Sequence, residues 1–182
     1  MDKHLINSLW FMPLTVIASP AFAVDYFSIE EAQQLLYPDA TAFTAANLSL
    51  TDEHKSTIKS LAGTRQRQNE QPVWRVEKDG ELQGWFIIDD VVGKHEYITY
   101  ATAIDQQGNV LGMEILSYRE THGGEVRRES WREQFVGKTA GDTFKLDEDI
   151  QNISGATLSC RNLTDGVKRL LVIHEQFLRP AQ

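Results

Sequence analysis

VWRVEKDGELQGWFIIDDVVGKHEYITYATAIDQQGNVLGMEILSY, Val73 to Tyr118, decides the fold. Val73 to Lys78 alternates apolar and polar residues, the period of a half-buried strand. Asp79-Gly80 follows as a hairpin turn signal, because both residues tolerate the positive φ that tight turns require. Leu82 to Val92 is a second strand, rich in aromatic and β-branched residues, and Gly93-Lys94 breaks it. His95 to Asp105 reads as a third strand, Gln107-Gly108-Asn109 as a turn, and Val110 to Tyr118 as a fourth. Four strands joined by short turns imply an antiparallel meander.

Helical patterns flank the meander. Ser28 and Glu31 have the spacing of a capping box, and Pro38-Asp39 ends the short helix they open. Thr51 starts a second, with Ile58 and Leu61 on its apolar face and Gly63 as its stop. Arg65 to Gln71 is polar and reads as a surface connection. Arg127 to Val136 has helical spacing, with Trp131 and Phe135 on one face. Leu163, Val167, Leu170, Leu171, His174, Phe177 and Leu178 mark a final helix. Gly166 inside it costs about 1 kcal/mol against alanine, which predicts an irregular first turn. The reading is a single α+β domain with an antiparallel sheet flanked by helices. Its divisions are residues 1–23 as a signal peptide, 24–72 as a helical segment and 73–182 as the α+β domain proper.

The chain has 182 residues, 41% apolar and 24% charged, enough to bury a core without disulfide staples. One cysteine excludes a bridge within the chain. With 18 basic against 26 acidic residues the net charge is −8, which argues against nucleic acid and anionic membrane surfaces as partners. At the N-terminus, Lys3 precedes an apolar stretch from Leu5 to Ala18, then Pro20 and the small-x-small site Ala21-Phe22-Ala23. That is the pattern of an exported chain cut after Ala23. The stretch is shorter than the roughly 20 residues of a membrane-spanning helix, so an uncleaved anchor is the second choice.

The chemistry-bearing segment is Ser154-Gly155-Ala156-Thr157-Leu158-Ser159. Three small residues put Thr157 on an open turn, and Gly155 is free to take φ > 0. The helix that follows presents free N–H groups and a positive dipole end, suited to a phosphate. Taken by itself this is also how a plain N-terminal cap reads.

The segment resembles the flavinylation motif of the FMN-binding domain family. That family includes the G subunit of the Rnf complex, the C subunit of the sodium-translocating NADH:quinone oxidoreductase and the exported part of the nitrous-oxide reductase regulator. The resemblance extends to Gly108 to Thr121, similar to a strand leading into the family's Glu-Thr-Pro-Gly loop, and to Gln134-Phe135-Val136-Gly137-Lys138. It implies FMN held through a phosphoester to Thr157, installed from FAD by a separate Mg-dependent flavin transferase. It implies cofactor contacts from Ser154, Gly155, Ala156, Leu158, Glu120 and Thr121. It further implies an extracytoplasmic electron-transfer module working with membrane or periplasmic redox proteins. Gln151 stands where the family has Asp, with Asp149 two residues earlier, and His122 stands where it has Pro. A flavin-dependent reductase acting on a small substrate, and a binding module without covalent flavin, are the alternative functions.

No catalytic acid–base pair is legible. The histidines lack ligand spacing and there is no second cysteine, so neither a metal nor a c-type haem site is expected. His174 reads as a core-edge residue, Cys160 as an inert thiol, and Asp147 to Asp149 as a turn cap or solvated run. Arg127 and Arg128 read as a solvated helix face, and Tyr118 and Trp131 as core.

Overall fold

The computed structural model describes residues 24–120 and 122–179. The signal-peptide reading of residues 1–23 lies outside them, as does Thr121. The elements in chain order are β1 (Val24–Asp25), α1 (Ile29–Leu36), β2 (Ala42–Ala45), β3 (Leu48–Ser49) and α2 (Asp52–Ala62). β4 (Glu70–Gln71), β5 (Val73–Lys78), β6 (Glu81–Val92), β7 (Tyr97–Asp105) and β8 (Val110–Tyr118) follow. The short α3 (Glu129–Arg132) and the long α4 (Thr157–Ile173) complete the fold.

The meander β5–β8 is antiparallel throughout, as the sequence predicts, with Asp79 and Gly80 both at positive φ in its first turn. The sheet itself is wider than four strands. Its order is β1-β8-β7-β6-β5-β2, so residues 24–72, read as helical, also supply both edge strands. β1 pairs with β8 (Val24↔Tyr118, Asp25↔Ser117), and β2 with β5. The first two helices form where their caps predict. Ser28 and Glu31 close a reciprocal capping box, Thr51 caps α2, and Gly63 ends it at φ 76°.

Both faces of the sheet are covered, which is why β6 reads as a nearly unbroken apolar run. Trp85, Ile87 and Val91 pack in a cluster with Leu163, Val167 and Leu170 of α4. Phe86 and Ile88 point the other way, into a smaller cluster with Ala32 and Tyr37 from α1 and its C-cap.

α4 differs from its expected form at both ends. It starts at Thr157, and after Ile173 it widens into a π-turn, His174–Leu178. It is continuous through Gly166, where an irregular turn was expected. The glycine serves close packing instead: a Cβ there would sit 2.3 Å from the Tyr100 hydroxyl and 3.0 Å from Val91 Cγ1. Gly166→Ala is therefore expected to destabilise by about 1–3 kcal/mol, because overpacking outweighs the helix-propensity gain of about 1 kcal/mol. A lower urea midpoint at unchanged slope is the readout; a higher midpoint would contradict the packing argument.

Beside Gly166 lies a buried polar cluster. Arg169 Nη2 pairs with Asp89 Oδ2, and the Tyr100 hydroxyl donates to the same oxygen at 2.8 Å. Arg169 Nη1 reaches the Arg65 carbonyl at 3.4 Å, tying the polar connection after α2 to α4.

His174 is 1% exposed rather than at the core edge. Burial pushes its pKa down from 6.5 to about 4, with Arg179 assisting and Asp105 opposing. A histidine depressed in the folded state binds its proton first in the unfolded chain. Its effect on stability is nil above pH 6.5, and stability falls as pH drops from there toward 4, by about 3 kcal/mol in full. His174→Gln should flatten this part of the acid limb, measured as urea midpoints at pH 7.5 and 4.5.

Candidate functional site

The turn Ile153 to Ala156 delivers α4. The Ala156 N–H donates to the Ile153 carbonyl at 2.9 Å, and Gly155 takes φ 83°, the conformation expected of it. Ala156 is the N-cap residue, and no side chain caps the helix. This departs from the plain-cap reading: among the described residues, the first N–H groups of a 17-residue helix have no side-chain acceptor. Thr157 is the first helical residue and half-buried; Ser154, Gly155 and Leu158 are exposed, while Ala156 and Ser159 are buried.

The segment after β8 comes to the same place. The Tyr118 hydroxyl donates to the His122 carbonyl at 2.6 Å and lies 3.4 Å from Ser159 Oγ, joining this loop to the first turn of α4. Burial raises the Tyr118 pKa, partly offset by Ser159, so the phenol keeps its proton. Gly123, at φ 86°, closes the contact, since a Cβ there would meet the Tyr118 hydroxyl at 2.7 Å and Ala156 Cβ at 3.0 Å.

A third segment was not anticipated. The third strand begins at Tyr97 rather than His95, leaving Lys94 to Glu96 as a loop. Glu120 holds that loop: its Oε1 accepts from the backbone N–H groups of His95 and, at 3.0 Å, Glu96. Burial pushes the Glu120 carboxyl up, but these N–H groups and that of Lys94 outweigh it, so its pKa lies below the ordinary value.

These three segments enclose a cleft of about 1070 Å³. Ser154 to Ser159 form one wall, His122 to Arg128 with Glu120 another, and Lys94 and His95 the third. Of the residues expected at the site, Thr157, Ser154, Gly155, Ala156, Leu158 and Glu120 all line it. Arg127 and Arg128 are exposed, as expected, but on the cleft wall rather than on a long helix. The expected helix 127–136 is broken into a 3₁₀ turn at Gly124–Arg127, the four-residue α3 and a second 3₁₀ turn at Glu133–Phe135.

The segment from Trp131 to Lys138 acts as a bracket for the approach to Ser154. Gln134 Oε1 accepts from the Gln151 N–H at 2.7 Å, and Trp131 Nε1 donates to the Gln151 carbonyl at the same distance. Lys138 Nζ lies 3.0 Å from Asp149 Oδ2. The Asp149 carboxylate also caps the Phe144 and Lys145 N–H groups at 2.9 and 2.6 Å. It is thus a turn cap committed to its own loop, while Gln151 is exposed. Trp131 and Tyr118 are core residues, 4% exposed each. Cys160 is fully buried and burial raises its thiol pKa, the setting of an inert cysteine.

Chemically, the cleft offers an uncapped helix N-terminus, cations on two walls, small residues around one hydroxyl, and the exposed apolar Leu158. It suits a planar ligand bearing a phosphate. Its volume lies just above the range of ordinary ligand sites, about 300–1,000 Å³. Residues 93–172, which take in all three walls, match the family described as the FMN-binding domain. The match covers 80 of the chain's 182 residues.

Two relatives extend the likeness beyond this segment. The chain is 27% identical over 154 residues to the G subunit of the Na(+)-translocating ferredoxin:NAD(+) oxidoreductase complex of Acetobacterium woodii, covering 79% of this chain and 72% of that one. It is 30% identical over 110 residues to the G subunit of the ion-translocating oxidoreductase complex of Stutzerimonas stutzeri, covering 54% of this chain and 48% of the relative. The chain thus spans about half of the second relative's length. In fold it is similar to the C subunit of the Na(+)-translocating NADH-quinone reductase of Parabacteroides distasonis, with a TM-score of 0.53 at 14% identity over 86% of this chain and 87% of that one. Among the described residues no helix is long and apolar enough to cross a membrane.

Lys94 and His95 were missed because nothing in a short polar loop signals that a distant carboxylate will fold it against a cleft.

Proposed function

We propose that this protein carries FMN as a phosphoester on Thr157 and serves as an extracytoplasmic electron-transfer module between redox partner proteins. The observation that carries the reading is the Thr157 side chain at the uncapped start of α4, inside a cleft with cations on two walls. Flavin, once bound, supplies one- and two-electron chemistry. The protein's own contribution is position and electrostatics. The α4 N-terminus and the cleft cations stabilise a phosphodiester charge at Thr157. Leu158 offers an apolar surface to the ring, and the bracket at Gln151 fixes the turn that aims the hydroxyl.

A threonine hydroxyl is a weak nucleophile near neutral pH, so a separate flavin transferase activates it. Thr157 Oγ forms a bond to the flavin-side phosphorus of FAD and gives up its proton; the bond to AMP breaks and AMP leaves. The pattern of residues 1–23 and the names of the two relatives, both components of ion-translocating oxidoreductase complexes, support export and partnership with membrane redox proteins.

The test is an intact mass of the protein secreted from cells that co-express a flavin transferase. The expected gain is one FMN less one water, with flavin fluorescence surviving a denaturing gel. An unmodified mass, with the transferase active on a control protein, would overturn covalent attachment. The starting residue of the same product reports cleavage after Ala23.

A further inference from the structure

We infer that Arg127, held in place by Tyr26, is the cation that selects the phosphate of the flavin. This rests on the FMN reading of the cleft and goes on to name the residue pair that discriminates a phosphorylated flavin from its nucleoside.

Arg127 is restrained three ways although it lies at the surface. Its guanidinium carbon sits 4.0 Å from the Tyr26 ring centroid, a stacked cation–π geometry. Its Nε donates to the Gly124 carbonyl at 3.3 Å. Its own carbonyl accepts from Arg132 Nε at 3.0 Å, which fixes the backbone from which the side chain projects. The ion pairs among the described residues involve other cations, so the charge of Arg127 is uncommitted. Of the two acidic residues on the cleft wall, Glu120 is spent on the loop N–H groups, leaving Glu125 as the nearby opposing charge.

An uncommitted, pre-oriented guanidinium lining the same cleft as an uncapped helix N-terminus is a fork for phosphate oxygens, and little side-chain freedom remains to be lost on binding. Among the described residues, Arg128, on the same wall, has no comparable restraint. Tyr26 reaches Arg127 because β1 runs along β8: the Tyr26 N–H donates to the Leu116 carbonyl at 2.8 Å, and the ring packs on the main core cluster. This gives the two-residue strand β1 a role that its length alone does not suggest.

The experiment uses the unmodified protein, made without a transferase, and measures non-covalent affinity for FMN and for riboflavin by flavin fluorescence at fixed ionic strength. Arg127→Gln should weaken FMN binding about tenfold or more and leave riboflavin unchanged, since a charge-assisted hydrogen bond is lost with one ligand only. Tyr26→Leu, which keeps apolar packing but removes the stacking face, should weaken FMN alone, by about threefold. Equal losses for both flavins would make the pair structural and overturn the assignment, as would undiminished FMN affinity in Arg127→Gln. Wild-type protein that binds riboflavin as tightly as FMN would also overturn it, with the flavin reading left standing. Wild-type protein that binds neither would overturn this inference, and if the transferase also leaves it unmodified the flavin reading falls with it.

Discussion

Thr157→Ala is expected to abolish covalently held flavin completely while leaving the fold in place. Thr157 is the first residue of α4, half-buried, and its hydroxyl makes no hydrogen bond to a described residue. Alanine is the better helix former, so the change in stability should stay within about 0.5 kcal/mol. Thr157→Ser keeps the nucleophile but loses the methyl that restricts its rotamer, and should load partially. The check is in-gel fluorescence with intact mass, in cells expressing the transferase. Ser159 is 4% exposed and lies against the Tyr118 hydroxyl, which makes it a poor substitute. Fluorescence surviving in Thr157→Ala would therefore move attachment to Ser154, the exposed hydroxyl of the motif.

The second large effect is in the core. Arg169→Ala should cost about 3–5 kcal/mol, because it strands the Asp89 carboxylate at 5% exposure without a counter-charge, the Tyr100 hydroxyl still donating to it. Burial already lifts the Asp89 pKa above the ordinary carboxylate range despite the guanidinium and the phenol. Removing the guanidinium lifts it further, and the group folds protonated. That loss is a large share of a typical stability of about 5–15 kcal/mol. Arg169→Met combined with Asp89→Leu removes both charges and should recover most of it. Denaturant midpoints of the single and double variants give the coupling; a double variant as unstable as the single would contradict the stranded-charge account.

Both effects sit on one helix, and the sequence showed its two ends unequally. The motif residues Ser154 to Thr157 were legible through their resemblance to a family motif, since small residues before an apolar-periodic run also read as a plain cap. The meander was legible because β5 to β8 are joined by turns of a few residues, so pairing is local. What was not legible came from contacts between distant segments. β1 and β2 are four residues or fewer, below the length at which alternation can be counted, and became strands because β8 and β5 offered unpaired edges. Glu120 was expected at the site by resemblance and lines the cleft, but its hold on the Lys94 to Glu96 loop was not legible, because that loop lies in a distant segment. Asp149 looked free to stand in for the residue at Gln151, but its oxygens are taken by Lys138, Phe144 and Lys145. Gly166 looked like a helix flaw because propensity considers one chain segment, whereas Tyr100 belongs to another.

α4 begins at the cleft and, about 18 Å further along its axis, carries Arg169 into the centre of the domain. Whatever is esterified to its first turn is therefore moored to the part of the molecule that opens last. Amide protons from Leu163 to Ile173 should exchange only through global unfolding, so the anchoring atom does not drift on the timescale of loop motion. For an electron carrier that means a small rearrangement of the surroundings at each gain or loss of charge, and a donor–acceptor distance set by how partners dock rather than by wandering of the prosthetic group.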